Sequence, residues 1–260
     1  MNGHACWSYD DLAGDFVQAA VAFLDEGIEL GQALMFVGGP GAEEIVRSVE
    51  PLSSMVADGT LAIAPFEAVY PGGERMPNTE QWAAYAQATE HARQGGFTGL
   101  RVLAEVTSLA SPDGAWPGQA RWESYADRLM ADSTLAALCC FERSAVSSEG
   151  LGAIASAHPV VDSRLDELVP FRLYGRSDAL ALTGEVDAFS SHTLRHLLRA
   201  GNGSPVDRVL DLDGLTFIEH TGVYALHEYA QLVRAQGLDL TIRGGPSSLR
   251  RLADLLGVTL

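Results

Sequence analysis

Lysine is absent: all 17 basic residues are Arg. This removes every mechanism that needs an amine nucleophile, pyridoxal phosphate chemistry included, and it removes the Lys of a phosphate-binding P-loop. Cysteine is scarce, with only Cys6, Cys139 and Cys140. Two adjacent Cys do not sensibly bridge each other, so a reducing cytoplasm is expected and a disulfide framework is not. No apolar run is long enough to span a bilayer, and residues 1–20 lack the basic-then-apolar order of a signal peptide, so no membrane partner is expected. Positive charge is also short. The net charge of −17 argues against a surface that follows a phosphate backbone, and hence against nucleic acid as a partner.

What is present is unevenly spread. Residues 1–170 carry 8 Arg against 24 acids, a net of −16, whereas residues 171–260 carry 9 Arg against 10 acids, a net of −1. Two units with different surfaces are expected. At 260 residues with 47% hydrophobic content, the chain can bury two ordinary cores.

In the first part, Leu12, Phe16, Ala20, Phe23 and Leu24 mark one helical face, with Gly27 as the expected residue just past the helix end. Apolar runs at 33–37, 61–64, 100–104 and 135–141 alternate with helical patterns. Thr79 is the expected cap of a helix that reaches Gln94, Gly95-Gly96 is its stop, and Pro117 opens another helix. Unalternating apolar strands separated by helices indicate a largely parallel sheet covered on both faces.

The acidic stretch 162–170 breaks the pattern, which restarts with strands at 171–174 and 179–183. A helix at 190–199, GNGSP turn chemistry at 201–205, a strand at 208–212, a helix at 222–235, a strand at 239–243 and a helix at 247–256 complete a small α/β domain. Leu226, Tyr229, Ala230 and Val233 give the stripe of a helix packed on a sheet. Thr221 then falls at that helix's N-terminus. Its hydroxyl has two readings: an N-cap, or a phosphoacceptor whose phosphate would be held by the following amides and the positive helix end.

In the second half stand Leu182-Thr183-Gly184-Glu185-Val186-Asp187, Phe217-Ile218-Glu219-His220-Thr221-Gly222, the stretch Leu240–Ser247 and Arg251–Gly257. These occur in the order of the corresponding motifs of the STAS family, the fold of anti-anti-sigma factors, which residues 171–260 resemble end to end. The resemblance implies a small mixed sheet with helices. It also implies binding to an anti-sigma factor or serine-threonine switch kinase, with phosphorylation at Thr221. This chain departs from the family pattern in Glu219, which replaces a shorter acid, and in His220, which replaces a Ser and is bulkier. Both flank the acceptor and bear on kinase recognition. Asp187 matches an acid that the family places near the acceptor, or is an ordinary loop Asp that caps the next helix.

The first half opens with His4-x-Cys6 and Tyr9, runs Gly99-Leu100-Arg101-Val102 into Glu105, then shows Leu138-Cys139-Cys140-Phe141-Glu142 and closes on His158-Pro159-Val160-Val161. In this order the motifs resemble the MEDS family of sensory domains, thought to be divergent relatives of RecA/KaiC-like ATPases. The resemblance implies sensing of a small molecule without hydrolysis. Where such a domain would carry its phosphate loop, this chain has Phe36-Val37-Gly38-Gly39-Pro40-Gly41-Ala42, with neither Lys nor Ser/Thr for Mg²⁺. The candidate ligand-sensing residues are Glu105, where parallel sheets gather ligand groups at strand C-termini, and His4, Cys6 and Cys139 (or Cys140), which meeting strand ends can bring together. Glu105 is alternatively a solvated strand-end carboxylate, and the Cys are alternatively core residues. H-x-C lacks the second close pair of a zinc module, so no metal is expected. Arg101, inside an apolar strand, needs an acidic partner if it is buried.

The expected architecture is α/β: a RecA/KaiC-like, mostly parallel sheet covered by helices over 1–162, a linker at 163–170, and a STAS-type domain over 171–260. The expected function is a cytoplasmic, non-enzymatic, cofactor-free regulator of the anti-sigma factor antagonist type. Two rivals remain: an unphosphorylated scaffold subunit, and a RecA/KaiC-like nucleotide-binding enzyme. Oligomeric state is open, a homo-oligomer included.

Overall fold

Strands buried on both faces lose the alternation that marks a half-exposed sheet. The residues of β4 (Leu100–Glu105) are all buried, and so are all but the last of β5 (Leu135–Glu142). The computed structural model describes residues 3–71, 77–111, 116–200 and 208–260; the turn expected at 201–205 lies outside the described residues. By internal contacts the chain divides into two units. The first holds residues up to Trp116 with Ser133–Leu151 and Val160–Arg164. The second holds Pro117–Asp132, Gly152–Pro159 and Leu165–Leu260.

The first unit is built on a six-stranded, all-parallel sheet. β1 (His4–Tyr9), β2 (Ala33–Gly38), β3 (Leu61–Ala64) and β6 (Val160–Val161) join β4 and β5 in the order β3-β2-β4-β5-β1-β6. Ala5, Tyr9, Leu34, Phe36, Leu103, Leu138 and Cys140 share one core with Phe16, Ala20, Phe23 and Leu24 at and along α1 (Val17–Glu29) and with Ala42 and Val46 of α2 (Pro40–Ser48). Since neighbours in a strand point to opposite faces, His4, Cys6, Val102, Ala104 and Cys139 point the other way. Two short helices, α3 (Leu52–Ala57) and α4 (Phe66–Val69), flank β3. The long α5 (Asn78–Gln94) returns the chain to β4, which α6 (Thr107–Ala110) follows.

Two helix boundaries differ from the sequence expectation. Gly27 lies inside α1, and the chain turns at Gly31, whose φ is +67°. Gly27 is small for a different reason: a Cβ there would sit 2.6 Å from both Arg101 Cδ and Leu34 Cδ2. Likewise α5 has Pro77 at its N-cap and Thr79 inside the first turn, while Gly95-Gly96 end it as expected. Arg101 is fully buried, donates to Gln32 Oε1, Phe23 O and Glu26 Oε2, and lies 4.4 Å from the Phe23 ring centroid. The acid that its burial demanded is Glu26, 3.0 Å away.

The second unit has a mixed sheet. β7 (Phe171–Gly175) runs antiparallel to β8 (Leu180–Val186). β9 (Val209–Asp211) pairs with Leu180–Ala181 and β10 (Leu215–Ile218) with Gly184–Val186, both parallel, so the pair reads as one strand interrupted at 212–214. β11 (Thr241–Arg243) pairs with β9. α9 (Ser190–Leu198) lies against β7 and β8, α10 (His220–Ala235) packs on α9, and α11 (Ser247–Leu256) packs on α10. The stripe Leu226, Tyr229, Ala230 and Val233 is buried. Most of α7 (Trp116–Met130) and the end of α8 (Ser148–Ala155) belong to this unit as well: Arg128 donates to Leu197 O at 2.9 Å, and Leu173 N donates to Ser156 O at 2.7 Å.

Candidate functional site

At the carboxyl ends of the parallel strands, three hydrogen-bond donors converge on a single oxygen. Glu105 Oε1 accepts the Tyr9 hydroxyl at 2.9 Å, the Thr107 amide at 3.3 Å and the Thr107 hydroxyl in a very short bond. Thr107 Oγ1 in turn accepts from Glu142 N at 2.8 Å. The other carboxylate oxygen, Oε2, takes no hydrogen bond among the described residues. Burial pushes the Glu105 carboxyl above its ordinary range, although Thr107 and Tyr9 pull in the opposite direction. Burial, then the negative field of Glu105, holds the Tyr9 phenol protonated well above its ordinary value. Glu105 is thus an enclosed acceptor, and the solvated strand-end alternative does not describe it.

His4, Cys6 and Cys139 lie together on the opposite face of the same sheet, apart from Glu105. His4 Nε2 is 3.4 Å from Cys139 Sγ, and Cys6 is the register partner of Cys139 on the neighbouring strand. Cys140 shares the Glu105 face, where burial and then the Glu105 charge push its thiol well up. The glycine-rich stretch enters α2 with Gly39 as N-cap and Pro40 in the first turn, and no side chain caps it. Nothing there supplies the cation or the Mg²⁺ ligand of a P-loop.

In the second unit the sequence reading of Thr221 needs correction. The N-cap of α10 is Glu219, and Thr221 lies one residue inside the helix. Its side chain is half-buried, but Oγ1 is shielded from solvent and has no hydrogen-bond partner among the described residues. The hydroxyl therefore neither caps the helix nor faces solvent. His220 is exposed beside it, and Glu219 N donates to Val186 O at 2.8 Å, which ties the start of α10 to the end of β8. Gly222 is needed here, because a Cβ would sit 2.7 Å from Ile218 Cγ1 and 2.8 Å from Val186 Cγ1. Asp187 is taken up by capping: its Oδ1 accepts from Phe189 N, Ser190 N and Ser190 Oγ at 3.0, 2.8 and 2.8 Å, and the Ser190 backbone bond leads in lowering its pKa.

Comparison with protein families adds to this geometry. Residues 3–159 match the model of the MEthanogen/methylotroph, DcmR Sensory domain, MEDS, which covers more than half of the chain. The chain belongs to the MEDS family. Behind the MEDS domain, residues 170–259 match the model described as Mlab, STAS domain. No curated protein matches the chain with significance. Among the described residues no helix is long and apolar enough to cross a membrane.

Three features of this MEDS–STAS chain were beyond the reach of sequence patterns. Thr107 completes the Glu105 cluster from a short helix that no periodicity marks. Gln81 on α5 is fully buried, yet neither of its amide atoms has a hydrogen-bond partner among the described residues. The STAS domain exposes Phe189 (92%), Phe217 (45%) and Tyr224 (38%). Tyr224 lies one turn after His220 on α10, and Phe189 follows the end of β8, to which the start of α10 is tied through Glu219 N and Val186 O. The usable signal for Phe189 was an aromatic in the loop between a strand and its helix.

Proposed function

We propose that the chain is a cytoplasmic, non-enzymatic signalling regulator of the anti-sigma factor antagonist type. One observation carries the reading: a sensory-family domain precedes a STAS domain in the same chain. The MEDS domain binds a small molecule at the Tyr9–Glu105–Thr107 cluster. Since donors already crowd Oε1, the ligand presents an N–H or O–H group to Glu105 Oε2. The STAS domain docks an anti-sigma factor or switch kinase on the face formed by Phe189, His220 and Tyr224, where exposed aromatics supply the apolar contact.

Thr221 is the phosphoacceptor in this reading. Its oxygen is shielded, so the kinase engages it only after χ1 rotates the hydroxyl outward, and the added charge then disrupts a close interface. Native mass spectrometry of the chain purified from its own cells tests both halves. The reading predicts a retained small molecule, lost in Glu105→Ala, and a single phosphoryl group, lost in Thr221→Ala. Protein carrying neither contradicts it.

The shielded Thr221 oxygen also favours a second reading, in which the chain is an unphosphorylated scaffold subunit. There the partner binds equally to wild type and Thr221→Asp, and no phosphoryl group is found.

A further inference from the structure

The sheet face away from Glu105 carries chemistry that the proposed regulator does not use. Cys6 on β1 and Cys139 on β5 are register partners on adjacent parallel strands. Residues of equal register point to the same face, and neighbouring strands lie about 4.8 Å apart. That spacing falls inside the range over which two Cys Cα atoms can be bridged, roughly 4.4–6.8 Å. His4 shares the face, and its Nε2 lies 3.4 Å from Cys139 Sγ. The three thiols are not equivalent. Cys139 keeps 6% exposure, Cys6 1% and Cys140 none. Cys140 also faces the α1 core, where burial holds it as the thiol.

We propose that Cys139 and Cys6 form a reversible dithiol–disulfide pair that responds to hydroperoxides, with His4 as the base for Cys139. His4 Nε2 takes the Cys139 proton, and the thiolate attacks the outer oxygen of the peroxide. The O–O bond breaks, and the departing alkoxide takes the proton from the imidazolium and leaves as an alcohol, or as water from hydrogen peroxide. Cys139 is then a sulfenic acid. The Cys6 sulfur displaces its hydroxyl: the S–S bond forms, the S–O bond breaks, and water leaves with the Cys6 proton. In sum, two thiols lose two electrons and one hydroperoxide is reduced. Because the two residues are register partners on paired strands, the sheet itself holds the two thiols side by side. Cys139 reacts first because it is the more accessible and the one beside the imidazole; Cys6 resolves it. The chemistry stands apart from the small-molecule reading at Glu105, which lies on the other face.

The test uses the full chain in a Cys140→Ala background, reduced, desalted and exposed to hydrogen peroxide. The product is alkylated and mapped as peptides without reductant. The proposal expects a Cys6–Cys139 cross-linked peptide that dithiothreitol abolishes. Cys6→Ala stops the reaction at a dimedone-reactive sulfenic acid on Cys139. His4→Gln slows formation by about tenfold or more while the circular dichroism spectrum stays native. Repeating the mapping with Cys140 in place keeps the result independent of that substitution. Thiols untouched by peroxide, Cys139 carried to sulfinic acid with Cys6 intact, or a link between Cys139 and Cys140 would each overturn the proposal. Loss of the Glu105 ligand would leave all of these outcomes unchanged, so the two readings fail separately.

Discussion

Tyr9 and Glu105 meet across an intervening strand: the phenol on β1 donates to the carboxylate on β4 at 2.9 Å, with β5 between them. Burial penalises the charged carboxylate, so the folded chain holds the Glu105 proton to a higher pH than the unfolded chain does. Stability from that proton is complete below the ordinary carboxylate value of 4.5 and is lost as pH rises through the raised folded value. Glu105→Gln, which cannot ionise, flattens the decline. Urea melts from acid to neutral pH measure this, and an unchanged pH slope would contradict it.

Gly27→Ala opposes two effects. Alanine in a helix interior gains about 1 kcal/mol over glycine. Here the added methyl would sit 2.6 Å from Arg101 Cδ and Leu34 Cδ2, and overpacking costs typically 1–3 kcal/mol. The steric effect wins because the Arg101 stem is pinned by three acceptors. The chain should unfold at lower urea than wild type.

Glu26→Gln removes the charge that faces the buried Arg101 but leaves Phe23 O and Gln32 Oε1 in place. Glu26 is about a third exposed, so solvent screens part of the pair, and a loss of about 1–2 kcal/mol is expected by chemical denaturation.

Gln81→Leu replaces an amide that is buried without partners among the described residues by an apolar group of similar size. A gain of about 1 kcal/mol is expected, because no hydrogen bond is lost and a desolvated polar group is removed. A thermal melt that shows a loss would mean that the amide has a ligand or an ordered water to bind.

Much of this fold was legible in the residues, for identifiable reasons. β3 at 61–64 and α11 at 247–256 carry the bounds read from pattern alone, because turn chemistry brackets both. The parallel sheet followed from apolar runs without alternation. The errors are of another kind. Gly27 and Thr79 were read by their habits as punctuation, yet a close approach decided one, and Pro77 took the N-cap in place of the other. Parity separates the candidate residues on these strands: His4, Cys6 and Cys139 share one face and Glu105 takes the other, because a strand's phase sets which face a side chain takes. Thr221 fell one residue inside α10, which turns its oxygen from solvent toward the body of the domain.

The central claim is that the face around Phe189, His220 and Tyr224 docks a switch protein under control of charge at Thr221. Its most direct test is an affinity pull-down from the chain's own cells with wild type, Thr221→Ala, Thr221→Asp and Phe189→Ser, followed by identification of what is retained. The account predicts that wild type and Thr221→Ala retain an anti-sigma factor or switch kinase, and that Thr221→Asp and Phe189→Ser lose about tenfold or more of it. Equal retention by all four chains, or no protein of that class on any of them, would contradict it.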